Sequence, residues 1–274
     1  MSGYIRVGGV DTQHDLLLDI SRTGKHIDHD ARVYHVMGRR AGFNSITVLQ
    51  DVKEYNAAGA GATDAIVDMV GTEPLELVSS SASDAAAGTG ARTVSVTYID
   101  ATTGLIATSQ DFVLNGTGNV SMGAIRAKAI LYAEAITAGS AGVSVGNIQV
   151  RNSTDHTTVY EQITAGGNVS LSGYFMIPIG HSGYLYYWDA GCVGTADQDA
   201  RLRATLRKSD QSLISVYHYI DQSYLASPGG RADESVPYFK LPAGCRVKVS
   251  TFPTGTGSSN RIDCSFSILI MSDG

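Results

Sequence analysis

The densest group of side chains that could do chemistry is the run His26-Ile27-Asp28-His29-Asp30, near the N-terminus. Imidazoles and carboxylates this close in sequence are of the types that bind divalent metals. The two histidines share a face only on a helix, and Gly24 precedes the run without the flanking helix of a zinc-protease motif. The pattern therefore favours a solvated turn or a polar contact between subunits, and we predict no metal and no cofactor.

Residues that could act as nucleophiles or bases are scattered. A serine elbow places Gly-x-Ser-x-Gly between a strand and a helix. The match Gly142-Val143-Ser144-Val145-Gly146 lies in a run that predicts a β turn, and His181, His218 and Cys192 are scattered among the predicted strands. The two carboxylates of a glycosidase site come together only in the folded protein, so the sequence does not exclude that reaction. The glycine-rich runs 88–92 and 139–146 lack the Gly-Lys-Ser/Thr of a phosphate loop and predict β turns. We expect that the protein is not an enzyme.

Aromatic and basic side chains form the candidate partner or glycan face. Tyr184, Tyr186 and Trp188 recur in one predicted strand, and alternating aromatic rings can stack on a glycan or fill a protein interface. Arg201 and Arg203 lie on one face of the next strand, where they could meet an acidic partner or a neighbouring subunit. The alternatives are cross-strand pairing of the aromatic rings within a sheet and a solvated arginine face. The counter-ions of such a face would be Asp197, Asp199 and Asp210.

The elements that must position these groups are strands. In residues 92–99 apolar and polar side chains alternate strictly, and we predict residues 105–114 as the hairpin partner of that strand. We interpret residues 125–136, which are rich in alanine, as a strand rather than a helix. Turn signals about 8–14 residues apart are typical of an antiparallel sandwich or jelly roll. The sequence predicts an all-β protein with a first β-sandwich region over 56–150 and a second over 151–274.

Charge sets the N-terminal residues apart from this body. Residues 1–55 hold 7 basic and 7 acidic residues, whereas residues 56–150 hold 3 and 8. Periodicity in the first segment is weak, so we predict an extended N-terminal arm that docks on another protein surface; the alternative is a small subdomain packed on the body. The candidate docking and interface residues are Arg32, Tyr34, His35, Arg39, Arg40 and Phe43.

Composition excludes several partners. The net charge is −6 with a pI of about 5.6, which argues against nucleic acid as a partner because such binding needs dense Lys and Arg. No apolar run of about 18 residues predicts a membrane span, and the N-terminus does not resemble a signal peptide. Three cysteines, without a C-x-x-C pair, are interpreted as packed, reduced thiols; a Cys245–Cys264 bridge is the alternative.

The stretch Glu73-Pro74-Leu75-Glu76-Leu77-Val78-Ser79-Ser80-Ser81-Ala82-Ser83-Asp84, continuing through Gly88-Thr89-Gly90-Ala91-Arg92-Thr93-Val94, resembles a motif of tailed-bacteriophage virion structural proteins. These are of the head decoration (cement) or head fibre type. The similarity continues at 111–116, 146–151 and 162–166, and His35-Val36-Met37-Gly38-Arg39-Arg40 is similar to a short N-terminal motif of the family. This chain departs from the family near residues 44–60.

The resemblance implies β-sandwich domains that sit as oligomers, often trimers, on a phage particle. We therefore expect a homo-oligomer that decorates or cements the capsid, with the major capsid protein as its partner. Its expected location is the virion surface, after synthesis in the host bacterial cytoplasm. The alternative function is a tail or neck fibre element, or a receptor-binding module that recognises host surface glycan through the Tyr/Trp strands.

Overall fold

The computed structural model describes residues 31–43, 49–54, 66–207, 213–226, 229–234 and 239–273. All regular secondary structure in these ranges is β-strand, which confirms the predicted all-β class. The strands are β1 (Arg32–Phe43), β2 (Gln50–Asp51), β3 (Leu75–Ser79), β4 (Ala91–Asp100), β5 (Ile106–Thr108), β6 (Phe112–Val113), β7 (Val120–Ser121), β8 (Ala127–Ala138), β9 (Ile148–Asn152), β10 (Val159–Ile163), β11 (Tyr174–Met176), β12 (His181–Val193), β13 (Gln198–Arg207), β14 (Leu213–Leu225), β15 (Arg231–Glu234), β16 (Phe239–Leu241), β17 (Arg246–Pro253) and β18 (Gly257–Ser272).

The first sandwich is made of two four-stranded antiparallel sheets. One has the order β10-β9-β3-β7; in the other, β5 and β6 pair with one edge of β4 and β8 pairs with its other edge. The alternation of β4 explains its position, because Val94, Val96 and Tyr98 are buried in one hydrophobic core. The ambiguous alanine-rich segment forms β8, which confirms that it is a strand: its buried Ala127, Ile130 and Ala133 lie in the same core.

The second sandwich is made of two five-stranded sheets. The first, sheet B, has the order β1-β18-β12-β15, with β16 also on β12. The second, sheet C, has the order β11-β17-β13-β14, with β2 on β17. Large side chains from both sheets meet between them, among them the fully buried Trp188, Phe175 and Phe266. The three cysteines are buried as thiols, so Cys245 and Cys264 are not bridged.

The described part of the predicted N-terminal segment belongs to the second sandwich. β1 pairs with β18 from Arg32↔Ile270 to Phe43↔Gly257, and β2 pairs with β17. The physical reason is the alternation of β1, which places Val36 in the core and Arg39 towards solvent. The register shift after Ala41 then places Phe43 in the same core. Residues 1–30 lie outside the described residues, so for them the arm stays a prediction.

The boundary between the sandwiches also differs from the predicted division at 150/151, which falls inside β9. β9 pairs with β3 and β10, so the first sandwich continues to about residue 170. Contacts then join the two units: Ile179 N–H donates to Gly104 O at 2.8 Å, and Arg246 pairs with Asp68 at 3.2 Å. Ile99 packs in the core of the second sandwich.

Candidate binding face and buried ionisable groups

The outer surface of sheet C carries a stack of aromatic and basic side chains, which we call the Tyr-Arg face: Arg201, Tyr219, Tyr224 and Phe252. The Arg201 guanidinium carbon lies 4.8 Å from the ring centroid of Tyr219 and 4.6 Å from that of Phe252. Arg201 also donates to Asp199 Oδ2 from Nε at 3.0 Å and from Nη2 at 2.6 Å. This hydrogen bond to Asp199 is the main cause that raises the pKa of Arg201. The Arg201 side chain is therefore held by Asp199 and by the two rings.

Two tyrosines of β14 project from this face into solvent. Tyr219 is 57% exposed and Tyr224 is 64% exposed, and they lie opposite Arg203 and Asp199 across the ladder with β13. The Tyr224 hydroxyl donates to Asp197 at 2.5 Å. Rigid Tyr and Arg side chains with one apolar and one polar end are the residue types that dominate protein interfaces. The arrangement can thus bind a protein surface or stack on a sugar ring.

The predicted arginine stripe is confirmed in position, because Arg201 and Arg203 both lie on this outer face. Their counter-ions differ. Arg201 pairs with Asp199, as one alternative expected, whereas Arg203 Nη2 donates to Asp51 Oδ1 at 2.8 Å. Asp51 is 1% exposed and also accepts from Lys248 Nζ at 2.6 Å. Arg203 therefore serves a buried network that fastens β2 to the sheet.

The predicted aromatic partners lie elsewhere. Tyr184, Tyr186 and Trp188 belong to β12 in sheet B, so the five residues proposed as one partner face do not share a surface. Placing Trp188 on that face is wrong: its side chain is fully buried in the core, where Nε1–H donates to Asp221 Oδ2 at 2.9 Å. Tyr184 and Tyr186 are half-buried, which fits the alternative of packing within the sheet.

The six predicted docking residues divide between the two faces of β1. Arg40 and Phe43 point inward and are buried, so neither can dock on another protein; Arg40 Nη1 donates to the carbonyl of Asp51 at 3.1 Å. Tyr34 is half-buried, with its ring centroid 5.1 Å from that of Phe175. His35 and Arg39 project outward, whereas Arg32 is exposed at the start of the strand, on the same face as Tyr34.

One buried carboxylate of the first sandwich was missed by the sequence reasoning. Asp84 is 0% exposed and accepts from the Ser79 hydroxyl at 2.6 Å. It also accepts from the backbone N–H groups of Ala91 (2.9 Å), Val145 (2.9 Å) and Gly146 (2.8 Å). The glycine-rich runs predicted as turns are therefore clasped together by one side chain. The signal that could have found it is an isolated aspartate after a serine-rich run, just ahead of a glycine-rich turn.

A second missed carboxylate lies where the two sandwiches meet. Glu161 on β10 is 1% exposed and accepts from the Ser172 hydroxyl at 2.8 Å and from the Gln162 N–H at 3.0 Å. Burial is the main cause that raises the pKa of Glu161 to about 8, against the two hydrogen bonds and the charge of Lys53, which lower the pKa. Burial likewise raises the pKa of Glu54. Glu161 is thus mostly protonated at neutral pH.

Within the described ranges, no group of three or more His, Cys, Asp and Glu side chains could hold a metal ion. The run His26–Asp30 lies outside those ranges, so its interpretation as a turn stays a prediction. The same ranges contain no helix with the length and hydrophobicity needed to cross a bilayer.

No model of a known protein family matches the sequence, and no curated protein matches it. Solved structures give distant similarities. The VP2 subviral particle of infectious bursal disease virus has 9% identity and a TM-score of 0.22, covering 90% of this chain and 73% of that chain. A putative secreted protein from Parabacteroides distasonis has 10% identity and a TM-score of 0.22, covering 90% and 91%. The CBM22 tandem domain of Paenibacillus barcinonensis Xyn10C has 10% identity and a TM-score of 0.21, covering 86% and 93%. At these TM-scores the similarities carry no argument about function.

Proposed function

We propose that this chain is a non-enzymatic structural protein of a virus particle, which decorates or cements the capsid of a tailed bacteriophage. It would act as a homo-oligomer, with a trimer expected, bound to the major capsid protein on the virion surface after synthesis in the host bacterial cytoplasm. The observation that carries the proposal is the Tyr-Arg face, which presents rigid interface-type side chains on a sheet that is itself braced. The resemblance at residues 73–116 supports the phage assignment.

The use of the buried carboxylates supports a structural role. Asp51, Asp84 and Glu76 are each buried and each fasten separate strands or loops of the chain. Glu76 on β3, for example, accepts from Arg151 Nε on β9 at 2.7 Å. These groups face hydrogen-bond donors of their own fold, which stabilises the two sandwiches as a scaffold.

Cementing would follow from mass action. A protein that binds the assembled lattice but not its dissociated subunits shifts the equilibrium towards the lattice, by an amount that grows with its concentration relative to its dissociation constant. Tyr219 and Tyr224 suit this task because an aromatic side chain buries a large area while few rotatable bonds are ordered.

The test is binding of the purified protein to capsids prepared without it, measured by co-sedimentation. The double variant Tyr219→Ser/Tyr224→Ser should bind about 100-fold more weakly, because each interface tyrosine is worth roughly a factor of ten. Tyr132→Ser is the matched control, since Tyr132 is also partly exposed (39%) but lies on the first sandwich. Wild-type affinity in the double variant would overturn this use of the Tyr-Arg face.

The same exposed tyrosines favour a second candidate, the receptor-binding module that recognises host glycan. Particles assembled with Tyr219→Ser/Tyr224→Ser distinguish the two functions. Normal capsid occupancy with reduced adsorption to host cells would support glycan recognition, whereas reduced occupancy would support decoration. The docking arm is tested by deleting residues 1–30 rather than 1–55, because β1 and β2 belong to the second sandwich.

A further inference from the structure

β1 forms one edge of sheet B, and part of its hydrogen-bonding edge faces outward. Arg39 N–H donates to Leu171 O at 3.3 Å on the side away from β18. Backbone groups alternate in direction along a strand, so the N–H and C=O groups of Val33, His35 and Met37 also point away from β18. Among the residues that the structure describes, no strand pairs with this edge at 33–37.

The side chains along this edge do not block pairing. Natural sheets protect their edges with inward-pointing charges, prolines or bulges. Here Val33 is 47% exposed and Met37 is 56% exposed, with His35 between them. The register with β18 is regular from Arg32 to Ala41, so the strand is straight where the edge is open.

We propose that β1 pairs with β1 of a second copy of this chain, antiparallel, around a two-fold axis at His35. In this register Val33 lies opposite Met37 of the partner subunit, and His35 lies opposite His35 of the partner subunit. All the outward backbone groups at these positions then bond across the axis, with about six hydrogen bonds in total. The two five-stranded sheets become one continuous sheet.

The edge is self-complementary, which is why a second copy is its occupant. The two exposed apolar side chains, Val33 and Met37, meet each other across the ladder on one face. Arg32 falls opposite Gly38 of the partner subunit, so no like charges are placed against each other. Pairing ends beyond Met37 because the next outward N–H, that of Arg39, is already donated to Leu171. Such an isologous contact joins two copies around a two-fold axis, so it adds to the three-fold contact of the trimer proposed above and does not replace it.

The first experiment is symmetric cross-linking of the full-length chain with the variant His35→Cys. Residues that oppose each other in a hydrogen-bonded pair have Cα atoms about 5.5 Å apart, a separation that a disulfide spans. The native cysteines are all buried, so mild oxidation should give a covalent dimer through position 35 alone. Ala41→Cys is the matched control, since Ala41 is exposed on the same strand but lies beyond the paired segment.

The second experiment is sedimentation velocity of the wild type and of Val33→Lys/Met37→Lys. The double variant places lysines opposite lysines across the axis while changing only exposed side chains, so it should raise the dimer dissociation constant at least about 100-fold with an unchanged circular dichroism spectrum. A wild type that does not dimerise, or a dimer in which His35→Cys and Ala41→Cys cross-link equally, would overturn the proposal.

Amide exchange provides an independent readout. Protection at Val33, His35 and Met37 should appear with dimer formation and vanish on dilution. Concentration-independent protection would show that the rest of the same chain covers this edge, and it too would overturn the proposal. These outcomes are separate from capsid binding, because the edge of β1 and the Tyr-Arg face lie on different sheets.

Discussion

Each sandwich holds one fully buried aspartate that accepts four hydrogen bonds, but the donors differ in charge. Asp84 in the first sandwich is bound by one hydroxyl and three backbone N–H groups, all neutral. Asp51 in the second is bound by Arg203, Lys248, the Ser250 hydroxyl and the N–H of Ile66. The first site closes loops; the second joins a short strand to a sheet.

The difference shows two ways of stabilising a buried charge. The backbone N–H groups of a loop are neutral and need no counter-ion. The loop holds them in place, so they have no other acceptor when the carboxylate is removed. Cations neutralise the carboxylate directly, yet they become buried charges themselves when it is removed. The two sites should therefore respond differently to the same substitution.

The largest effect is expected from Asp51→Ala, which leaves the buried Lys248 and the partly buried Arg203 without their acid. We expect the free energy of unfolding to fall by about 4–5 kcal/mol, measured by denaturant titration. Adding Lys248→Met should restore part of the loss, because it removes one uncompensated cation of a side chain that is 8% exposed. A double variant no more stable than Asp51→Ala would contradict this account.

Asp84→Ala should cost somewhat less, about 3 kcal/mol, because it leaves neutral donors unsatisfied rather than charges. Asp111→Ala is the control, since Asp111 is exposed on a neighbouring segment and its loss should stay within about 0.5 kcal/mol. If Asp84→Ala and Asp111→Ala have equal free energies of unfolding, the hydrogen bonds to Asp84 do not stabilise these loops.

Glu161 extends the comparison to a buried carboxyl with only two donors. Its pKa of about 8 in the folded chain lies above its ordinary value of 4.5, so the folded state binds the extra proton between these values. The contribution of Glu161 to stability is therefore greatest below about pH 4.5 and falls as the pH rises towards 8, by at most about 1.4 kcal/mol per pH unit. Glu161→Gln should flatten this dependence, measured as unfolding free energy at pH 5, 6, 7 and 8. If the slope of unfolding free energy against pH is unchanged in Glu161→Gln, other groups cause the pH dependence.

The smallest effects should come from a matched pair, Ser79→Ala and Ser250→Ala. Each hydroxyl donates to its aspartate at 2.6 Å, and each loss should cost about 1 kcal/mol. Ser250→Ala should cost slightly more, because Ser250 also accepts from Arg203 Nη2. A reversed order in thermal unfolding would show that the neutral clasp is the more sensitive of the two.

Local patterns predicted strands well in this chain. The alternating residues 92–99 lie in β4. The alanine-rich segment forms β8, because its small residues pack in a core between sheets. Alternation also predicted that Arg201 and Arg203 share a face. Strict alternation would keep Trp188 on the face of Tyr184, but the register of β12 with β18 shifts between Leu185 and Tyr187. Trp188 therefore lies in the core and not on the surface where alternation placed it.

Long-range pairing accounts for what was not foreseen. β1 joins β18 more than 200 positions away in sequence, a partnership that no local pattern reports. Charge composition set residues 1–55 apart, yet the charges of Arg39 and Asp51 are both paired with distant strands. Asp84 and Glu161 were missed because hydrogen-bond donors converge on them from segments separated in sequence.

By itself, the sequence determined the all-β class, most strands and their turns, because side-chain alternation and glycine placement act over a few residues. Only the tertiary structure decided which strands are neighbours, where the sandwiches divide and which ionisable groups are buried. The physical reason is that the two sheets of a sandwich bury a shared core, and its members come from both ends of the chain. The open edge of β1 and the exposed Tyr-Arg face are likewise products of that assembly.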